Sequence, residues 1–213
     1  MSLLASDLSN LKDEVIKITK LGTDLVHLDV MDGNFVPNIS FGADVIKSIR
    51  KYSNLPFETH LMVVDPLKHI EKFVNAGSDI IIFHVESESD ILATINKVKS
   101  YNKSVGIALN PGTDIKKIIS YLHLVDLVLV MTVEPGACGQ KFIIDQIFKI
   151  QNLSRIIKSK NLNVTIEVDG GINLAIARMV SKYGVTSCVS GSYIFNSNNI
   201  ASVISDFKLV DGV

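Results

Sequence analysis

Two spacings of apolar residues alternate along this chain. Short aliphatic and β-branched runs at Leu25–Val30, Phe57–Met62, Ile80–His84, Val105–Leu109, Leu127–Thr132, Val164–Asp169 and Val185–Ser190 predict strands buried on both faces. Between them, apolar positions recur at helical spacing: Leu11, Val15, Ile18 and Leu21 before Gly22; Val45, Ile46 and Ile49; and Leu67, Ile70, Phe73 and Val74 between Asp65-Pro66 and Gly77. Further helices are predicted around Ile91, Ile95 and Val98 with Ser89 as their cap, around Ile115, Ile118, Ile119 and Leu122, and around Ile144, Ile147, Ile150, Leu153 and Ile157. Asn173 caps a helix of Leu174, Ala177 and Val180, and a last helix covers about Ile200 to Phe207.

With the short apolar start Ser2–Leu4 counted as a strand, the pattern is eight strands, each followed by a helix. Strict alternation with no break in composition implies a parallel sheet, and eight units close into a barrel. The predicted fold is therefore α/β, a (β/α)8 TIM barrel forming one catalytic domain over residues 1–213, with a truncated first strand. An open doubly wound sheet is the runner-up, although that fold more often shows one dominant glycine-rich turn after its first strand.

In a barrel the chemistry lies at the C-terminal ends of the strands. His27 and Asp29 interrupt an otherwise apolar strand and, being two residues apart, project to the same side. His60 and Asp169 sit at the ends of two other strands. Two neutral imidazoles and two carboxylates at one mouth make a site for one divalent metal ion per chain, Zn2+ first, with Fe2+, Mn2+ or Co2+ as alternatives. The bland alternative for His27 and Asp29 is a satisfied buried pair. Glu58 and Glu167, two residues before His60 and Asp169, either orient ligand imidazoles or form inner salt bridges. Met31, Met62 and Met131 fall at or just past strand ends, where thioethers line an active site or simply fill core.

Composition narrows the setting. Net charge is −1 with acids and bases interspersed, so no basic face points to nucleic acid. Apolar runs such as Ile80–Phe83 are far too short to span a bilayer, and MSLLASDLSNLK lacks a signal peptide's pattern, so no membrane partner and a cytoplasmic location are expected. The only cysteines, Cys138 and Cys188, form no metal-ribbon spacing and suit a reducing compartment.

Glycine clusters follow three successive strands: Gly136-Ala137-Cys138-Gly139-Gln140, Gly170-Gly171 and Gly191-Ser192. Backbone amides in such loops, near a helix N-terminus, form the usual anion site of this barrel, so a phosphate-bearing substrate is expected.

Taken together, HLDVMDGNFVPN, HLMV followed by DP, FHVE, LNPGT, MTVEPG..GQKF, EVDGGIN and the GS after the last strand resemble the ribulose-phosphate 3-epimerase family of the pentose phosphate pathway. The resemblance covers nearly the whole chain. It implies a divalent ion held by His27, Asp29, His60 and Asp169, and interconversion of D-ribulose 5-phosphate and D-xylulose 5-phosphate. It also implies Asp29 and Asp169 as the acid–base pair. Substrate contacts are implied for Ser2, His60, the loop Gly136, Ala137, Cys138 and Gly139, and for Asp169, Gly170, Gly171, Gly191 and Ser192. A homo-oligomer, dimer or hexamer, is expected. Allulose-phosphate epimerases share the first motif but usually lack the second glycine of EVDGG, here Gly171.

The chemistry suits these residue types in its own right. Inverting a carbon beside a ketone needs one group to remove a proton and another to return one to the opposite face, and two carboxylates suffice. A Schiff-base aldolase would need a lysine at a strand end, and these strands have none. A metal-free decarboxylase or isomerase of similar shape and a non-catalytic sugar-phosphate-binding barrel stay open.

Two departures from the family pattern bear on the site. Relatives usually carry several residues before the serine that is Ser2 here, and they usually have phenylalanine and glycine where this chain has Ala137 and Cys138. If the Cys138 side chain points into the mouth, the anion-binding amides are expected to lower its pKa; the alternative is a side chain turned away from the ligand, a small filler.

Overall fold

The computed structural model describes residues 1–212. Seven parallel strands run in sequence order around one sheet: β1 (Val26–Met31), β2 (Phe57–Met62), β3 (Ile80–His84), β4 (Ser104–Leu109), β5 (Leu127–Met131), β6 (Thr165–Asp169) and β7 (Ser187–Val189). The eighth position is held by two residues. Ser2 bridges His27 of β1 and donates its backbone N–H to Ser190 just past β7, while the His27 N–H donates to Met1. The expected truncated first strand is thus reduced to a single bridge, because the chain turns at once into a 3-10 turn over Leu3–Ala5, capped by the Ser2 hydroxyl. The architecture is the (β/α)8 barrel.

Helices α1 (Leu11–Lys20), α2 (Ala43–Arg50), α3 (Ile70–Ala76), α4 (Ile91–Ser100), α5 (Gln146–Ser159), α6 (Leu174–Ser181), α7 (Ser192–Phe195) and α8 (Ile200–Lys208) fill the connections. The main core lies between strands and helices, where alternate strand residues such as Leu28, Leu61, Phe83, Ile107 and Val130 meet buried helix residues such as Ile18, Ile46, Ile95 and Leu153. None of the described helices is long and apolar enough to cross a membrane.

Three local expectations are corrected. The segment from Ile115 to Leu124 is not an α-helix but a run of i+3 hydrogen bonds, with 3-10 turns at Ile115–Lys117 and Leu122–Leu124. In that geometry residues three apart eclipse, so Ile115, Ile118, Tyr121 and Leu124 all face the core, a spacing easily mistaken for an α-helical one. Ser89 does not cap α4. Asp90 does, accepting from the Ala93 N–H, while the Ser89 hydroxyl donates to Asp65 and accepts from the Leu67 N–H. Ile144 lies before α5 and is exposed.

The barrel interior divides into two halves. Ile82, Ala108, Leu127, Leu129, Met131 and Val133 pack as an apolar cluster on the β3–β5 side. On the other side the inward residues are polar: His27 and Asp29 of β1, Glu58 and His60 of β2, and Glu167 of β6, all buried. Parallel register sets this pairing, with His27 beside Glu58 and Asp29 beside His60. Gly106 leaves room on the apolar side, since a Cβ there would lie 2.7 Å from Leu127 Cδ1 and 2.9 Å from Ile82 Cγ1. Overpacking such a site costs about 1–3 kcal/mol. Gly106→Ala is expected to lower unfolding stability by that amount in chemical denaturation, whereas Gly112→Ala, with open space around it, is expected to change it by less than ~0.5 kcal/mol. Equal stability of the two variants would show that the β3–β5 half of the barrel is loosely packed.

Candidate active site

Asp29 is the hub of the polar half. It is 4% exposed. Its Oδ2 accepts from the Ser2 hydroxyl at 2.6 Å, and its Oδ1 lies 3.2 Å from both His27 Nε2 and His60 Nδ1. Asp169 reaches in from the end of β6, with Oδ2 at 3.9 Å from the same two ring nitrogens. The structure therefore brings together all four residues named as candidate ligands.

Their geometry can be tested against an ion. Metal bonds of about 2.0 Å in a tetrahedral shell place ligand atoms roughly 3.3 Å apart. The observed separations of 3.2 and 3.9 Å bracket that value, and all four donor atoms lie within 4.8 Å of one another. Neutral imidazole nitrogen with carboxylate oxygen is a donor set suited to Zn2+ or another divalent transition ion. The residues fit.

The far nitrogen of His27 is committed, with Nδ1 at 2.7 Å from Glu58 Oε1. That hydrogen bond directs Nε2 toward the carboxylates. Glu167 takes neither of the routes left open by the sequence. It accepts from the Ser187 hydroxyl, its Oε1 has no partner, and burial together with neighbouring Glu58 pushes its carboxyl well above the usual range. Its burial thus favours the neutral form, and it forms no salt bridge among the described residues.

Burial and the charges across the mouth push the two aspartates apart. Burial alone would raise Asp29, but His27 and then His60 overcome it and hold the carboxyl far below the usual range. Burial and the adjacent Asp29 charge raise Asp169 to about 7. For His27 the burial penalty is outweighed by Asp29 and Glu58, which raise it well above its ordinary value, whereas burial lowers His60 to about 4.

Above this layer is a cleft lined by Met31, Met62 and Met131, each no more than 5% exposed, and by the three glycine loops. Gly136, Gly139, Gly170 and Gly171 all take left-handed backbone angles. At Gly171 a Cβ would fall 2.4 Å from the Phe142 backbone nitrogen, so only glycine lets the loop after β6 press against the loop after β5. Gln140 folds the latter loop by donating to the carbonyls of Glu134 and Ala137. Gly191 and Ser192 complete the rim at the start of α7, a short helix the sequence reading missed because a single turn carries no periodic signal.

Cys138 departs from expectation. Its backbone stays out of the left-handed region because the glycines on either side absorb the turn. Burial and the charges of Asp29 and Asp169 push its thiol up to about 11, not down.

Two further positions hold the loops and strand ends around the cleft. Asp32 shapes the turn before Phe35, accepting from the N–H groups of Asn34 and Phe35, and also from Val64 in the next loop, which ties the two loops together. Thr132 donates its hydroxyl to the carbonyls of Asp169 and Gly170, fixing the end of β6. Threonine at a strand end has too common a pattern to be singled out from sequence.

The separation of the two aspartates is open to measurement. In protein stripped of metal, carboxyl-carbon NMR is expected to show Asp169 changing from protonated to ionised with a midpoint near 7, with Asp29 ionised throughout the neutral range. Midpoints in the ordinary carboxylate range for both would mean that the site is far more hydrated than its burial indicates.

Residues 1–195 match the model of the "Ribulose-phosphate 3 epimerase family". The chain is 40% identical over 209 residues to a chloroplastic ribulose-5-phosphate-3-epimerase of Arabidopsis thaliana, covering 97% of this chain and 74% of that protein. It is 37% identical over 208 residues to the ribulose-phosphate 3-epimerase of Bacillus subtilis strain 168, covering 97% and 96%. Solved structures similar to it include 3-keto-L-gulonate-6-phosphate decarboxylase from Vibrio cholerae, with TM-score 0.69, 12% identity and coverage of 97% and 93%. Another is 3-hexulose-6-phosphate synthase from Salmonella typhimurium, with TM-score 0.66, 19% identity and coverage of 99% and 93%. At those identities the structural likeness speaks for the barrel alone.

Proposed function

The chain belongs to the ribulose-phosphate 3-epimerase family and is an isomerase acting on a pentose phosphate, and we propose that it interconverts D-ribulose 5-phosphate and D-xylulose 5-phosphate by two-base proton transfer between Asp29 and Asp169 with a divalent ion bound. The observation that carries this reading is the pair of aspartates, on strands separated by β7 and the Met1–Ser2 bridge, facing one cleft. Before an ion binds, their surroundings drive the two apart, Asp29 downward and Asp169 upward, the arrangement that supplies one base and one acid.

In the forward direction the ionised carboxylate removes the proton from the carbon beside the ketone, and the protonated one delivers a proton to the other face of the resulting enediolate. One turnover leaves the pair with its protonation inverted. A proton must therefore cross between the aspartates or exchange with solvent before the next substrate. His27, Asp29, His60 and Asp169 would hold the ion, which when bound supplies charge to stabilise the enediolate oxygens. Ser2 holds Asp29 in place by donating its hydroxyl. Met31, Met62 and Met131 keep the proton-transfer zone apolar, which strengthens each electrostatic interaction within it. Backbone N–H groups of the Gly136–Gly139, Gly170–Gly171 and Gly191–Ser192 loops would take the phosphate, the anchor that fixes the sugar between the carboxylates.

Asp29→Asn and Asp169→Asn are each expected to lower turnover by at least ~100-fold, since each removes one of the two proton-transfer groups. Metal content has to be measured alongside to separate loss of a base from loss of the ion. Chelator treatment is expected to abolish epimerisation, and Zn2+ to restore it. Full activity of rigorously metal-free protein would falsify the ion's part in the reaction, and near-normal turnover in either variant would remove that aspartate from the acid–base pair.

A further inference from the structure

The two imidazoles of the site are anchored differently. His27 meets a carboxylate directly through Nδ1. His60 points Nδ1 at Asp29 and Asp169, but its Nε2 faces another imidazole, with His84 Nε2 at 2.8 Å. His84 in turn places Nδ1 at 3.1 Å from Glu86 Oε2, and Glu86 Oε1 accepts from the Asn110 backbone N–H at 2.9 Å. Both histidines are fully buried, and Phe35 packs against the His84 ring with centroids 4.8 Å apart.

Only one proton fits between two facing Nε2 atoms, and its location decides what His60 presents to the site. A proton on His84 Nε2 would make His60 Nε2 an acceptor, and neutral His60 would then carry hydrogen on Nδ1, the atom that must offer a lone pair to an ion. A proton on His60 Nε2 leaves Nδ1 free. The Glu86 carboxylate has only lone pairs to offer, so it takes the Nδ1–H of His84. Neutral His84 then has its lone pair on Nε2, and the shared proton belongs to His60.

We propose that Glu86, acting through His84, is a positioning residue that selects the His60 tautomer with Nδ1 free to bind the ion. The relay does for His60 what Glu58 does for His27, one ring further out. Its rigidity comes from the Asn110 N–H holding the carboxylate and from the Phe35 and His60 rings packed against His84. This inference rests on the ion-binding reading given above.

The test uses the full chain loaded with zinc. Glu86→Gln keeps the shape but presents an amide N–H that can donate to His84 Nδ1 and reverse the relay. It is expected to weaken zinc retention by about 10–100-fold in competition with a chelator. Exposed Glu71→Gln is expected to retain zinc as the wild type does. On wild-type protein with 15N-labelled histidine, NMR is expected to find protons on His60 Nε2 and His84 Nδ1, a readout that needs no variant to fold. A proton on His84 Nε2, or wild-type zinc affinity in Glu86→Gln, overturns the relay while leaving the ion site intact. A wild type that retains no zinc removes the ion-binding reading and the relay with it.

Discussion

A carboxylate held out of water beside two imidazoles is the interaction on which this molecule turns. Asp29 has its oxygens directed at Ser2, His27 and His60, and each partner arrives from a different part of the chain. Burying an ionised carboxylate without such partners would cost far more than a domain's margin of stability. The polar half of the barrel is therefore tolerable only because parallel register delivers His60 beside Asp29 and Glu58 beside His27. Deleting any one partner would leave buried charge uncompensated, so the site and the fold constrain each other.

Ser2 shows the coupling most directly. The same residue closes the sheet between β1 and β7, caps the first turn and donates to Asp29. A Cβ at Gly191 would come within 3.0 Å of the Ala5 Cβ, so the Gly191 rim of the cleft also packs on this opening segment. Closure of the barrel, placement of Asp29 and shape of the rim are three consequences of a few residues at the start of the chain.

The site divides its tasks by backbone type. The carboxylates proposed to exchange protons stand on strands, which pairing holds rigid, while the glycines proposed to frame an anion site lie in loops, where they free the backbone to turn sharply. Apolar cluster, methionine ring and acidic pair share one interior, and the apolar half matters to the chemistry because it keeps the dielectric low around the carboxylates. Structural neighbours at 12% and 19% identity share the barrel without sharing the reaction named for this family, as expected when a scaffold is separable from the residues at its mouth.

The spacing of apolar residues alone determined the order of the strands and of most helices, because a two-residue and a 3.6-residue period put different side chains on the buried face. Sequence also marked His27, Asp29, His60 and Asp169, since polar residues inside runs such as LVHLDVM have no reason to be there unless they meet partners. What those partners are was decided by tertiary structure. Glu86 lies two residues beyond its strand and looks like a loop acid until β3 and β4 pair, which brings the Asn110 N–H to its carboxylate and holds it against His84. Glu58 and Glu167 occupy equivalent sequence positions, yet one anchors an imidazole and the other has its carboxyl pushed upward, because the barrel sets one against His27 and the other against a serine and a second acid. Cys138 likewise lay in a loop read as anion-binding, but burial and then the aspartates across the cleft raise its thiol rather than lower it. Local pattern reports which residues are buried; the sign of the field at each of them is a sum over strands far apart in the chain, and only the closed barrel performs it.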